Sequence, residues 1–347
     1  MQRSIGCWAL GLLGLCVTTA GLRAQPTSDI QKMLDFERHA QPSARTYQVA
    51  YLSQCVNNPY CKTGLEGVKA AARKFGLNIK VFDAQFNPNE QLKDVQNAVA
   101  GNFDGYILAP TAAIQACSMY RNYLKPTGKP VVVYDVPMCG DLTATPGIAG
   151  TVLMQTQAYF DSIMEAAFAS CKGKCEAAVV GGYVGTDLFN FWQSSLAKAQ
   201  ARHPNVKVTV NQPTDYSPQT TARVIQDALS AHPNINLIIS PSDDLSRAAI
   251  QSIRNAGKTP GKDVAIFSIG GTSEGIRLVF SGEIQATTIG LPFEEGYYAG
   301  VVMAMAVQGH PLNGYIDESK LPTITEGPGD VMLTRANAAR FSPHPQY

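Results

Sequence analysis

The chain has 347 residues, with 28 lysines and arginines against 27 aspartates and glutamates, so its net charge is only +1. This balance, without a basic cluster, argues against nucleic acid as a partner, because binding a polyanion needs concentrated positive charge. The length exceeds what one hydrophobic core usually serves, which predicts two domains.

The first 24 residues have the features of a cleaved export signal. Arg3 provides a basic start, residues 7–20 form an apolar run, and Ala24 ends a segment suited to cleavage. This run is too short to span a bilayer, and no later segment is long and uncharged enough to do so. We therefore expect an exported protein without membrane insertion. Residues 25–45 follow as a polar extension with a short helical stretch at 30–36, which we interpret as a tether and to which we assign no function.

Six cysteines remain after this signal, and an even number in an exported chain predicts disulfides. The expected pairs join the two closest neighbours in sequence and leave one longer link: Cys55 with Cys61, Cys171 with Cys175, and Cys117 with Cys139. Zinc binding by the closely spaced cysteines is the alternative, but no histidine lies near either close pair. We therefore expect no metal site.

Between residues 47 and 291, short apolar runs alternate with amphipathic segments of helical length. This alternation is typical of βαβ units and predicts an α/β fold with parallel sheets. The predicted strands are 47–53, 79–84, 105–109, 130–136, 177–181, 206–211, 237–240, 264–269 and 286–291. The clearest helices are 62–75, 218–231 and 245–256, and Gly76 and Gly257 stand where a helix-ending glycine is favoured. A strand-poor stretch at 139–150 separates two similar series, which predicts two similar lobes.

Ligands of open α/β sheets bind beyond the carboxyl ends of the strands, so the residues that follow predicted strands are candidates. Asn58 and Tyr60 follow the first strand in a loop that the expected Cys55–Cys61 bond would close, which reduces the ordering cost of binding. An Asn-Pro turn before a helix explains them about as well. Asp135 follows the fourth strand, and its alternative role is to cap a turn before proline.

A glycine-rich segment at 181–187 follows the first strand of the second series and leads to Phe189, Phe191 and Trp192. Such a turn suits a phosphate, but neither a phosphate-binding glycine spacing nor positive charge accompanies it. Phe189 fits a core position, whereas Trp192 is the residue that we expect to contact a ligand.

Catalytic arrangements find little support. The five histidines lie near prolines or the chain ends, outside the strand-end loops where a general base or a metal ligand would be useful. The acid pairs Asp243-Asp244 and Glu294-Glu295 are explained by solvated helix starts, where acidic side chains are favoured. We expect a binding protein and not an enzyme, without a cofactor.

Six short segments together carry a family resemblance: Asn58-Pro59-Tyr60, Asp135, Gly182-Tyr183-Val184-Gly185-Thr186, Gln212-Pro213-Thr214-Asp215-Tyr216, Ser242-Asp243-Asp244 and Ile269-Gly270-Gly271-Thr272. Over residues 47–334 the chain resembles the type I periplasmic binding proteins, the ribose-binding and lactose-repressor superfamily. The resemblance implies two Rossmann-like lobes joined by a three-strand hinge near residues 149, 291 and 322, with a helix at 293–308 that returns to the first lobe. The implied first lobe is 46–149 plus 292–322, and the second is 150–291 plus 323–347.

In sugar binders of this family, aromatic rings sandwich the sugar and polar side chains fix its hydroxyl groups. By position, the resemblance gives comparable roles to Asn58, Tyr60, Asp135, Tyr216 and Asp243.

The departures from the family pattern remove several polar groups. Where the family commonly has arginine, this chain has Val136 at one position and either Trp192 or Asn190 at another. Ser242 stands in place of the family's asparagine, Gly270 in place of its aspartate and Gly290 in place of its glutamine. A site with fewer hydroxyl partners discriminates less against ligands that lack hydroxyls. We therefore expect a ligand bulkier or less hydroxylated than ribose, admitted by Gly270 and Gly290 and gripped by Tyr60, Trp192 and Tyr216. Sugars and polyols remain the largest class.

The resemblance further implies a monomeric periplasmic protein that closes around one small ligand. Its partner would be the permease of an ABC importer or, alternatively, a membrane histidine kinase that reads the closed form. Both partners require closure to create a new surface, so the sequence alone does not separate them.

Overall fold

The computed structural model describes residues 28–40, 43–141, 143–344 and 347. The predicted export signal at 1–24 lies outside the described residues. The strands are β1 Tyr47–Ser53, β2 Leu77–Asp83, β3 Gly105–Leu108, β4 Val131–Tyr134, β5 Gly150–Leu153, β6 Cys175–Gly181, β7 Val206–Pro213, β8 Ile235–Ile239, β9 Ala265–Gly270, β10 Ala286–Ile289, β11 Gly314–Asp317 and β12 Met332–Thr334. The α-helices are α1 Asp29–His39, α2 Pro59–Phe75, α3 Pro88–Ala100, α4 Ala113–Met119, α5 Gln157–Ala169, α6 Asp187–Arg202, α7 Pro218–Ala231, α8 Asp243–Asn255, α9 Ser273–Ser281, α10 Pro292–Val307 and α11 Pro322–Thr325.

The strands form two six-stranded sheets, which confirms the predicted two-lobed α/β architecture. The first sheet has the order β11-β5-β4-β3-β1-β2 and is parallel throughout. The second has the order β12-β10-β9-β8-β6-β7, and only β12 is antiparallel to its neighbour. Central strands such as β4 are buried along their whole length. Burial on both faces explains why these strands appear in the sequence as continuous apolar runs.

Local sequence signals define several helix ends. The Asn58 side chain accepts a hydrogen bond from the Cys61 backbone nitrogen (2.8 Å) and caps α2, which begins at Pro59. Gly76 ends the same helix in the left-handed conformation, with φ 72°, as its position predicts.

Helices α2 and α10 pack closely because glycines line their contact. A β-carbon at Gly67 would lie 2.7 Å from the backbone nitrogen of Tyr297, so this position requires glycine. Since α2 belongs to the first lobe, this contact places α10 there as well, as the family resemblance implies.

Strand β5 belongs to the first sheet, where it pairs with β4 and β11. The chain therefore first leaves this sheet after Leu153, and the expected boundary between residues 149 and 150 is a few residues too early. The strands predicted from the apolar runs do not include β5, β11 and β12, which have three or four residues each and lie at a sheet edge or beside one.

Helix α1 packs onto the first lobe, so the interpretation of residues 25–45 as a free tether is wrong for 29–39. Met33 is fully buried, and Phe36 contacts Phe75 with ring centroids 5.6 Å apart. The Asp29 side chain accepts a hydrogen bond from the backbone nitrogen of Tyr315 (3.1 Å) on β11.

The cysteines lie in the three expected pairs. The Cα–Cα separations are 5.7 Å for Cys55 and Cys61, 4.8 Å for Cys117 and Cys139, and 6.1 Å for Cys171 and Cys175. Each separation is within the range that a disulfide bridges.

Among the described residues, no helix is long and apolar enough to cross a membrane. The same part of the chain contains no group of three or more histidine, cysteine or acidic side chains that could hold a metal ion.

Candidate functional site

A cavity of about 550 Å³ lies between the two lobes, at the carboxyl ends of strands from both sheets. This volume suits a small organic ligand. The first lobe contributes Gln54, Asn58, Pro59, Tyr60, Cys61, Phe86, Pro88, Thr111, Ala112, Asp135 and Val136. The second lobe and its connections contribute, among others, Gln155, Phe160, Tyr183, Phe189, Trp192, Tyr216, Ser242, Asp243, Asp244 and Tyr347.

Two aromatic rings from opposite lobes close one side of the cavity. Phe86, just after β2, stacks on Tyr183, just after β6, with ring centroids 5.1 Å apart. Tyr183 also contacts Tyr216 at a centroid distance of 5.5 Å. The lobes are therefore in direct contact across the cavity, as in a closed binding protein.

Gly182 permits the close approach of Tyr216 to the strand end. A β-carbon at Gly182 would lie 2.6 Å from the Cε2 atom of the Tyr216 ring, closer than atoms can pack. The glycine-rich segment thus accommodates the Tyr216 ring.

Asp135 lies at the end of β4, and its side chain is buried and faces the cavity. The residue is 4% exposed and has φ 67°, a left-handed conformation that is uncommon outside glycine. Its carboxylate accepts a hydrogen bond from the Gln54 side-chain amide. Burial raises the pKa of Asp135 to about 7, and the bond from Gln54 opposes this rise only in part.

A second buried carboxylate, Glu295, lies behind Tyr60. It accepts hydrogen bonds from the Tyr60 hydroxyl (2.6 Å) and from the Met154 backbone nitrogen (2.9 Å). Burial, and then the nearby Asp135 carboxylate, hold the pKa of Glu295 well above its usual range. Glu295 is fully buried, so the expected solvated helix start is wrong for this residue. No sequence pattern indicates this burial, because the groups that contact Glu295 come from α2 and from Met154, just after β5.

Asp243 also lines the cavity, but internal donors occupy both of its carboxylate oxygens. Ser268 and Thr287 donate their hydroxyl groups to Oδ1, and Thr272 donates its backbone N–H (2.9 Å) and hydroxyl (3.1 Å) to Oδ2. Burial raises the pKa of Asp243 to about 6, although these bonds oppose the rise. Asp243 is 1% exposed, so the solvated interpretation of this acid is wrong, whereas Asp244 is exposed.

The remaining predicted residues that line the cavity are Asn58, Tyr60, Trp192, Tyr216 and Ser242. Asn58 and Ser242 use their side-chain oxygens to cap α2 and α8. The Trp192 ring is 2% exposed and packs edge-on against Phe160 at a centroid distance of 6.1 Å. Phe189, expected in the core, lines the cavity as well.

Three predicted site residues lie outside the cavity lining. Asn190 is exposed on α6 and donates to Asp187 at 3.4 Å, because the helix turns it away from the cleft. Gly270 and Gly290 are joined to each other, since the Gly290 nitrogen donates to the Gly270 carbonyl (2.7 Å). Neither makes room for a ligand as expected: a β-carbon at Gly290 would meet the Tyr347 hydroxyl at 2.9 Å.

Tyr347 fills that space and reaches the other lobe. Its ring packs edge-on against Tyr60, with centroids 5.6 Å apart, and its backbone carbonyl accepts a hydrogen bond from Ser273 (3.2 Å) at the start of α9. No sequence signal indicated this residue, because it follows no strand. Phe86, which the sequence analysis also missed, lies two residues after a predicted strand, so the strand-end rule could have found it.

Comparison with known proteins places the chain among binding proteins. A family model described as a periplasmic binding protein domain matches residues 49–311. The chain is 26% identical over 251 residues to the ribose import binding protein RbsB of Salmonella typhimurium, covering 72% of this chain and 80% of that protein. It is also 26% identical to the galactofuranose-binding protein YtfQ of Escherichia coli, over 63% of this chain and 69% of that protein.

A solved structure extends the likeness in fold. The Caulobacter myo-inositol binding protein, solved with myo-inositol bound, superposes with a TM-score of 0.75 at 18% identity, covering 87% of this chain and 98% of that chain.

Proposed function

Because this chain belongs to the periplasmic binding protein domain family, we propose that it captures one small solute between its lobes and delivers it to an ABC importer. The observation that carries the proposal is the cavity of about 550 Å³ lined from both lobes and closed by the Phe86–Tyr183 stack. A ligand held there contacts both lobes at once, so its binding free energy favours the closed form.

The location and partner belong to the same proposal. We place the protein in the periplasm, after removal of residues 1–24, as a monomer with three disulfides formed in an oxidising compartment. The relatives named above include an import binding protein, which favours a permease as the partner; the alternative partner, a histidine kinase, finds no support among them. The family consists of substrate-binding proteins, so we assign the site to binding and not to turnover.

Trp192 offers a direct test of ligand capture. The chain has two tryptophans, Trp8 and Trp192, so the protein without residues 1–24 keeps only the one that lines the cavity. Native mass spectrometry of protein purified without unfolding should reveal a co-purified small molecule. Adding that molecule back to protein stripped of it should change Trp192 fluorescence saturably and reduce the radius of gyration in X-ray scattering.

The outcome that contradicts the proposal is equally definite. Scattering profiles that superimpose with and without the molecule, together with unchanged Trp192 fluorescence, would show that nothing closes the lobes.

A further inference from the structure

The described lining of the cavity contains acidic side chains and no basic side chain. Asp135, Asp243 and Asp244 are among its lining residues, whereas no lysine, arginine or histidine from the described part of the chain lines it. An anionic ligand would therefore meet repulsion without a compensating partner.

Of the two buried aspartates that line the cavity, Asp135 has fewer internal hydrogen bonds than Asp243. Of the hydrogen bonds described for its carboxylate, one comes from a side chain, that of Gln54. Glu295 lies close enough for the Asp135 charge to raise the pKa of its carboxyl group. Two buried acids side by side are costly to ionise without a cation, so a positively charged group beside Asp135 would relieve this cost.

Aromatic rings surround the same space. Tyr60, Phe86, Phe160, Tyr183, Trp192 and Tyr216 line the cavity and come from both lobes. Ring faces attract cations electrostatically, and the attraction is strongest where water is excluded. Compared with a neutral molecule of the same shape, an organic cation gains this attraction and an opposite charge at the Asp135 carboxylate.

We infer that the ligand captured by the proposed function carries a positively charged nitrogen, an amine or a quaternary ammonium group, which lies among the aromatic rings with its charge directed at Asp135.

Matched pairs of charged and neutral probes test this inference by isothermal titration. The pairs are choline with 3,3-dimethylbutan-1-ol, which differ in one atom and one charge, and D-glucosamine with D-glucose. At least one cationic member should bind tenfold or more tightly than its neutral partner. Asp135→Asn should reduce that preference at least tenfold, whereas Asp227→Asn, which removes an exposed acid from α7, should leave it unchanged.

The comparison of cationic and neutral probes on the wild-type protein tests the inference even if Asp135→Asn fails to fold. Equal affinities within each pair, binding by neutral members only, or binding by no member would overturn the inference. A neutral or anionic co-purified molecule would overturn it as well. In that case saturable binding and closure with that molecule would still uphold the proposed function, whereas loss of closure with every ligand would overturn both.

Discussion

Asp135 and Asp243 are buried aspartates on opposite sides of the same cavity, and their surroundings differ. Asp243 receives four hydrogen bonds from Ser268, Thr287 and Thr272, whereas a single side-chain amide, that of Gln54, donates to Asp135. A carboxylate whose lone pairs are occupied holds the second lobe together, and one with free lone pairs remains available to a ligand. The number of internal donors, and not burial, distinguishes Asp243 from the acid that we propose binds the ligand, Asp135.

Removing each carboxylate should separate the two roles most clearly. Asp243→Ala should lower the free energy of unfolding by about 3 kcal/mol or more, because it leaves several buried donors without an acceptor. Asp135→Ala should change it by less than about 1 kcal/mol, because the lost bond is offset by the loss of a costly buried charge. Urea unfolding measures both values. Equal losses in the two variants would contradict the distinction.

The pH dependence of stability should sharpen the comparison with a smaller effect. An aspartate in the unfolded chain titrates near pH 4, whereas burial raises the pKa of Asp135 to about 7 and that of Asp243 to about 6. The native state therefore holds these protons longer, and the stability they contribute is lost as the pH rises from about 4 to these values. Burial raises the pKa of Glu295 and Glu318 as well, which adds to the same trend.

Asp135→Asn isolates the contribution of one group. As the pH rises from 4.5 to 8, the urea concentration at the unfolding midpoint should fall less for this variant than for the wild type. Most of this difference should appear below about pH 7. Asp227→Asn, exposed on α7, serves as the matched control and should follow the wild type. Identical profiles for wild type and Asp135→Asn would show that Asp135 does not hold a proton in the native protein.

The smallest expected effect concerns the Asp243 side of the cavity, where the carboxylate is occupied and Tyr347 supplies contact instead. Tyr347→Ala should weaken binding of the co-purified ligand about threefold to tenfold, since it removes a ring that packs on Tyr60. Thermal stability should stay near that of the wild type, and titration calorimetry measures the affinity. Ile114→Ala, an exposed apolar position on α4, is the control. Unchanged affinity would mean that Tyr347 does not contact the ligand.

Pattern reasoning located most of the α/β scaffold because the central strands are continuous apolar runs and the helices have periodic faces. It predicted β1 to the residue and α7 likewise. It placed the first boundary between the lobes a few residues too early, since β5 follows a stretch rich in glycine, threonine and proline and was not predicted as a strand. The strand-end rule found Asp135 and Tyr60, but an alignment by family position misplaced Asn190, Gly270 and Gly290, whose neighbours in space differ from their neighbours in sequence.

The sequence by itself determined the two parallel-sheet lobes, the paired cysteines and the strand ends at which the polar residues gather, because periodicity and spacing are local properties. Only the tertiary structure decided which acid is free to bind, that Glu295 is buried behind Tyr60, and that Phe86 and Tyr347 reach across the cleft. These features depend on hydrogen-bond donors and aromatic rings brought together from distant parts of the chain, and no local sequence pattern predicts such contacts.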